Sequence, residues 1–281
     1  MPCDTAFRIV ARRHFEKLSA NHAATCNGDQ DALHQMRVAL THLRTCVRFF
    51  SPMVEDSARA DVAGELRWLN KHLGLVRDLD VAIGRIETTT KVHDLPRFES
   101  WMERRTKGHR ALARTLQSAR FRRLVESTSQ WIESGPWSTQ TDEQSEQARR
   151  VPVLVYALHK LAQWEKRLLK KSRKLHKMSV GKRHRLRLLN KKLNYAIESC
   201  QDLFADPRFS KQETALKYLR KAQRYLGQLN DDARTQALAR ELRRDCAKTP
   251  MPSRKHGRER LLLEKTAAVY AKLAKLKPFR S

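Results

Sequence analysis

The chain has 281 residues and 58 Lys+Arg against 30 Asp+Glu, a formal charge of +28. Such an excess self-repels in a compact state and calls for a polyanionic partner: nucleic acid, an anionic membrane surface or an inorganic phosphate polymer. Hydrophobic residues at 40% suit a soluble, folded protein with a sizeable core, and the 9 Gly and 9 Pro are few enough to favour an all-α chain over a β-rich one.

The N-terminus, MPCDTAFRIVARRHFEKL, has no apolar stretch after its positive charges, so no secretory signal is expected. No apolar run approaches the ~20 residues that span a bilayer. The five cysteines, Cys3, Cys26, Cys46, Cys200 and Cys246, are far apart and odd in number. That argues against a zinc site or a disulfide framework and for a reducing cytoplasm.

Residues 4–25 read as a first amphipathic helix, with Phe7, Val10, Ala11, Phe15 and Leu18 towards the core. Asn27-Gly28-Asp29 is a turn supplying an N-cap. The following stretch, Leu33 to Phe50, carries two stripes at steps of three and four. Leu33, Met36, Leu40, Leu43, Val47 and Phe50 are apolar, and His34, Arg37, Thr41, Arg44 and Arg48 form a basic face. Like charges so crowded on one helix repel by a few tenths of a kcal/mol per pair, so an anion or water is expected opposite them. Ser51-Pro52 ends the helix.

A third helix is expected at 55–73, stopped by Gly74, and a fourth opening at Arg77-Asp78-Leu79-Asp80, with both aspartates favoured by the helix N-terminus. Helices at about 95–118 and 119–133 follow, their charges reading as solvated faces. Residues 134–150, with Gly-Pro and many Ser, Thr and Gln, read as a linker between a first helical half, 1–133, and a second, 151–281, of one domain. The second half opens with a helix at 151–176. From Lys160 to Lys192 fourteen Lys/Arg stand against one acid, Glu165. Ser179-Val180-Gly181 breaks that run and a helix restarts over 183–198. Asp206-Pro207 is a turn, helices follow at about 211–226, 230–247 and 257–276, and 248–257 reads as a basic loop.

Shifted by 150 residues, the basic helix falls on HRLRLLNKKLNYAIESC. His34 meets His184, Arg37 meets Arg187, Thr41 meets Lys191, and Arg44 and Arg48 meet Asn194 and Glu198. The apolar stripe becomes Leu186, Asn190, Leu193 and Ile197. At the same offset 66–71 meets 216–221, so Lys71 meets Lys221. With three extra residues, Gly74-x-x-Arg77-Asp78 meets Gly227-x-x-Asn230-Asp231. Two copies predict two similar bundles about a pseudo-twofold axis, whose basic stripes face a common groove.

His34-x-x-Arg37-Val38 with Leu43-Arg44, then LGLVRDLDV (73–81), HRLRLLNKKLNY (184–195), LGQLND (226–231) and the closing KLAKLKPF (272–279) resemble the CHAD family, the conserved-histidine α-helical domains. The resemblance implies an all-α fold of two four-helix-type halves around a basic central cavity. It also implies binding of inorganic polyphosphate, with association with polyphosphate granules in the cytoplasm. Some members carry a fused CYTH domain, for which this chain leaves no room. Carried over by motif, the anion-binding positions are His34, Arg37, Arg44, Arg77, His184, Arg187, Lys191 and Lys192. The tandem basic pair of the family before Leu43 is Thr41-His42 here, and the basic residue after Leu193 is Asn194, which lowers the charge of the second helix.

A phosphate polymer has a regular negative charge and no bases, so it is gripped by a track of Lys/Arg whose guanidinium forks bind bidentately. Arg48, Lys71, Lys221 and Arg224 extend the track, against the alternative of a solvated face for each. Neither His34 nor His184 has a further ligand at i+4, so phosphate contact or structural support is favoured over a metal site. Asp78/Asp80 and Asp231/Asp232 are expected to cap helices and to orient basic neighbours, with Arg77 open to a structural ion pair. No nucleotide-binding loop or catalytic triad ordering is present. The expectation is a non-catalytic polyphosphate-binding protein with no cofactor and no metal. The alternative is RNA or DNA binding through the same surface, against which stands the lack of interleaved aromatics. No membrane partner is expected, and no feature sets an oligomeric state.

Overall fold

A computed structural model describes residues 1–89, 98–201, 210–245 and 256–279, without the side chains of 85–89, 98, 232–245 and 256. The Asp206-Pro207 turn, Cys246, the Asp232 side chain and nearly all of the basic loop at 248–257 lie outside this description. Secondary structure among the described residues is helical, apart from one isolated bridge between Pro2 and Pro152. The helices are α1 (Cys3–Ala20), α2 (His22–Cys26), α3 (Gln30–Phe49), α4 (Arg59–Thr89), α5 (Phe98–Leu116), α6 (Ala119–Ser134), α7 (Glu143–Arg150), α8 (Val153–Ser172), α9 (Val180–Gln201), α10 (Ser210–Asp245) and α11 (His256–Leu276). Two compact units divide the chain, Met1–Val153 and Leu154–Ser281. The first holds five long helices with the shorter α2 and α7, one long helix more than a four-helix bundle.

In the first unit α1 packs on α3, and α3 on α4. The predicted 4–25 helix is broken at Asn21, whose side-chain amide donates to the Lys17 carbonyl at 2.7 Å and so draws the chain out of the helical ladder. Gly28 has φ +86°, a left-handed position that glycine tolerates, and Asp29 caps α3 through the N–H groups of Asp31 and Ala32 at 2.8 and 2.9 Å. The α3 apolar stripe is buried as expected.

Two corrections concern helix ends. Gly74 does not stop a helix: α4 runs unbroken from Arg59 to Thr89, and α10 likewise passes through Gly227. A mid-helix glycine costs only about 1 kcal/mol relative to alanine. That is outweighed by Leu66, Leu69, Leu73, Val76 and Ile83, a buried stripe that keeps helical spacing across Gly74. Asp78, Asp80 and Asp231 are therefore interior helical residues and not caps.

The segment at 134–150 is no free linker. Trp137 is fully buried, meeting Phe7 edge-on at 5.3 Å, and its indole donates to the Trp131 carbonyl at 2.8 Å. Asp56 accepts from the Trp137 N–H at 2.9 Å, the Trp131 indole at 3.0 Å and the Arg59 N–H at 2.7 Å. Buried Arg149 donates to the carbonyls of Trp137 and Gln140. Gly135 is required by contact, because a Cβ there would lie 2.7 Å from the Trp131 carbonyl oxygen.

In the second unit α10 packs on α9 and α11. Asn190, expected in the apolar stripe, is a polar hub at 0% exposure. It donates to the Leu219 carbonyl and to Gln223 Oε1, both at 3.0 Å, and accepts from the Tyr270 hydroxyl at 3.1 Å. Every arm of the buried amide is thus satisfied, and three helices are tied at one point.

Candidate functional site

α3 and α4 run antiparallel, and a cationic seam follows their contact. Arg37 reaches across to α4, where its Nη1 donates to Asp78 Oδ1 at 3.3 Å. Its Nη2 lies 4.0 Å from where a Gly74 Cβ would stand. Arg37 and Asp78 are 33% and 39% exposed, so the pair is worth under about 1 kcal/mol. It orients the guanidinium while leaving it open to a stronger anion.

Two turns further along α3, Arg44 is half-buried beside Arg67 of α4. Burial first, and the Arg67 charge second, lower the guanidinium pKa of Arg44 from its ordinary value. Among the described residues neither arginine has a carboxylate partner, so the pair is a concentrated positive charge without compensation. The sequence reading missed Arg67. Its signal was the spacing Arg67, Lys71, Gly74, Asp78, which puts four residues on one face of a continuous α4. Lys71 is exposed on that face, and His34 and Arg48 are exposed at either end of the α3 stripe. Arg77 is half-buried but turned about 100° from Asp78 around the helix. Arg37, and not Arg77, is the arginine paired with Asp78.

The second unit repeats the approach of an arginine over a glycine. Arg187 Nε lies 4.0 Å from the place of a Gly227 Cβ. Beside it, His184 Nδ1 donates to Asn230 Oδ1 at 3.0 Å, which leaves Nε2 for a ligand. The Lys191 ammonium sits 5.1 Å over the Tyr195 ring, a cation–π contact, and Lys192 is half-buried about 100° further round α9. At the far end Arg220 is paired with Glu198 at 2.8 Å, and Asn194 is buried, so the charge of this face is concentrated at Arg187 and Lys191, next to His184.

Because α10 is continuous, its register is fixed by Gly227. Counting back from the two glycines, Lys71 corresponds to Arg224 and Arg67 to Arg220, not Lys71 to Lys221. Lys221 is exposed and about 120° around α10 from Gly227, off the face that meets Arg187. Arg224 is exposed and about 60° from Gly227.

The expectation that α5 carries only solvated charge also changes. Asp80 of α4 is 0% exposed at its side chain, and its Oδ1 accepts from Arg105 Nε and His109 Nε2, both at 2.9 Å. Among the described residues no cluster of three or more His, Cys, Asp or Glu is placed to hold a metal, and no helix is long and apolar enough to cross a membrane.

The CHAD domain profile matches residues 9–240. The fold is similar to the crystal structure of the CHAD domain from the plant Ricinus communis, with a TM-score of 0.73 and 21% identity over 98% of this chain and 88% of that one. It is also similar to PptA from Streptomyces chartreusis, with a TM-score of 0.62 and 14% identity over 98% of this chain and 95% of that one. No curated protein matches the chain. The all-α fold, the order of the motifs and a family match spanning most of the sequence converge: this chain belongs to the CHAD domain family.

Proposed function

We propose that the protein binds inorganic polyphosphate without chemically altering it, through the basic faces of α3/α4 and α9/α10, and that this binding associates it with polyphosphate granules. The observation that carries the reading is the half-buried Arg44 beside Arg67 with no carboxylate partner. A half-buried guanidinium that faces the like charge of exposed Arg67 carries an electrostatic penalty that a phosphoryl oxygen relieves. Guanidinium groups also match the paired oxygens of successive phosphoryl units.

The same faces are poor platforms for nucleobases. Trp68 of α4 and Tyr195 of α9 are covered by Arg120 at 4.3 Å and by Lys191 at 5.1 Å. Stacking on single-stranded bases needs an open ring face. The large aromatics Phe7, Phe49, Phe50, Trp131 and Trp137 are buried.

The test is a titration of the full chain with long-chain polyphosphate and with single- and double-stranded nucleic acid, matched in phosphate concentration, at two salt concentrations. Polyphosphate is expected to bind more tightly at physiological salt, with an affinity that falls steeply as salt rises. Equal binding of nucleic acid removes the specificity proposed. Release of orthophosphate from the polymer in the presence of Mg²⁺ or Mn²⁺ overturns the non-catalytic reading.

A further inference from the structure

A second cationic site lies on the other side of α4. Asp80 is about 200° around that helix from Asp78, so its surroundings are distinct from the Arg37 face. The buried Asp80 carboxylate holds Arg105 through Nε alone. That contact uses one edge of the guanidinium and fixes its plane, and the two terminal nitrogens have no partner among the described residues. His109 is locked by the same oxygen.

Arg105 and His109 line an open recess of about 280 Å³, together with Met102, Thr106 and Arg110 of α5 and with Cys26-Asn27-Gly28 at the α2–α3 turn. No carboxylate is among the lining residues. Asp80 neutralises one positive charge from behind, and Arg110 adds another at the rim. The cavity therefore has surplus positive charge and a preoriented guanidinium fork. A recess of this size takes a small, partly hydrated anion.

We infer that this cavity, between α5 and the Cys26–Gly28 turn, is a binding site for a small phosphate oxyanion, orthophosphate or pyrophosphate, gripped by Arg105 and Arg110. A tetrahedral oxyanion presents two oxygens to the free edge of Arg105, a bidentate contact that a planar or monoatomic anion matches less well. The carboxylate behind Arg105 does for this guanidinium what a buried partner does for a binding histidine: it sets direction before the ligand arrives.

Cys26 is a free, half-buried thiol in the cavity wall, so its alkylation is the readout of occupancy in the test. The full chain is treated with iodoacetamide at constant ionic strength, with and without millimolar orthophosphate or pyrophosphate, and alkylation is read on the Cys26 peptide by mass spectrometry. Either anion is expected to slow alkylation at least threefold, and the one that protects at lower concentration is the preferred ligand. Arg110→Ala, an exposed position, is expected to abolish this protection with the unfolding curve unchanged. Arg44→Met is expected to leave the protection intact while weakening long-chain polyphosphate binding, which keeps this site separable from the α3/α4 face. The inference is overturned if neither anion protects Cys26, or if Arg110→Ala is protected as well as the parent.

Discussion

Replacing Arg44 by methionine removes the guanidinium and keeps an unbranched stem of similar length and good helix propensity. Packing against α4 is therefore largely retained. Arg44 faces Arg67 without a carboxylate among the described residues, so the unliganded protein loses a like-charge contact worth a few tenths of a kcal/mol. Stability to urea is expected to stay level or rise by up to about 0.5 kcal/mol. Binding moves the other way. A hydrogen bond to a charged partner is worth about 1.5–3 kcal/mol. At 1.4 kcal/mol per decade, long-chain polyphosphate affinity should fall between about 10- and 150-fold. The slope of log K against log salt should shrink by about 0.7, the loss of one phosphate contact to a single-stranded polyanion. Isothermal titration at two salt concentrations beside urea unfolding measures all three quantities. An Arg44→Met protein with parental affinity and parental salt slope refutes the assignment of this seam to the anion.

Other outcomes follow from the packing. Gly74→Ala and Gly227→Ala should each raise stability by about 0.5–1 kcal/mol, because the helices run through both sites and a Cβ would meet the nearby arginine only at 4.0 Å; destabilisation in urea would deny that continuity. Asp56→Ala strands the N–H of Trp137 and the indole of Trp131 and should cost about 2–4 kcal/mol, read as a shift of the urea midpoint, whereas a shift within error would mean the 134–150 segment is not held by this residue. His14 is buried beside the ring of His42, and burial, helped by Lys17 and Arg13, lowers its pKa to about 4. The unfolded chain, near the ordinary histidine value of 6.5, then takes up the proton first. Stability is full above pH 6.5 and declines as pH falls from 6.5 towards 4, by up to about 3 kcal/mol; urea curves over this range should show that loss in the parent and a flatter profile in His14→Phe.

The α3 helix could be read from sequence because every level agrees there. Asp29 caps it, the apolar and basic stripes keep helical spacing, and the capped turn before it and the Ser51-Pro52 turn after it bound it. Gly74 and Gly227 misled because a local propensity of about 1 kcal/mol was weighed above a buried stripe that continues past it. The same misjudgement put Lys221 on the face, since only an unbroken α10 fixes the register to Arg224. The 134–150 segment has the composition of a linker, yet it carries Trp137, whose burial ties it to the first unit. Asp80 and its partners Arg105 and His109 are 25 and 29 residues apart, beyond any periodicity, and only the packing of α5 on α4 brings them together. Arg67 was visible as a polar residue, but its role depends on standing opposite Arg44 across two helices.

The most direct measurement is a structure of the full chain with long-chain polyphosphate bound. Binding as proposed puts phosphoryl oxygens within hydrogen-bond distance of Arg37, Arg44 and Arg67 on the first face and of Arg187 and Lys191 on the second. A polymer held elsewhere, with the Arg44–Arg67 pair untouched, contradicts it.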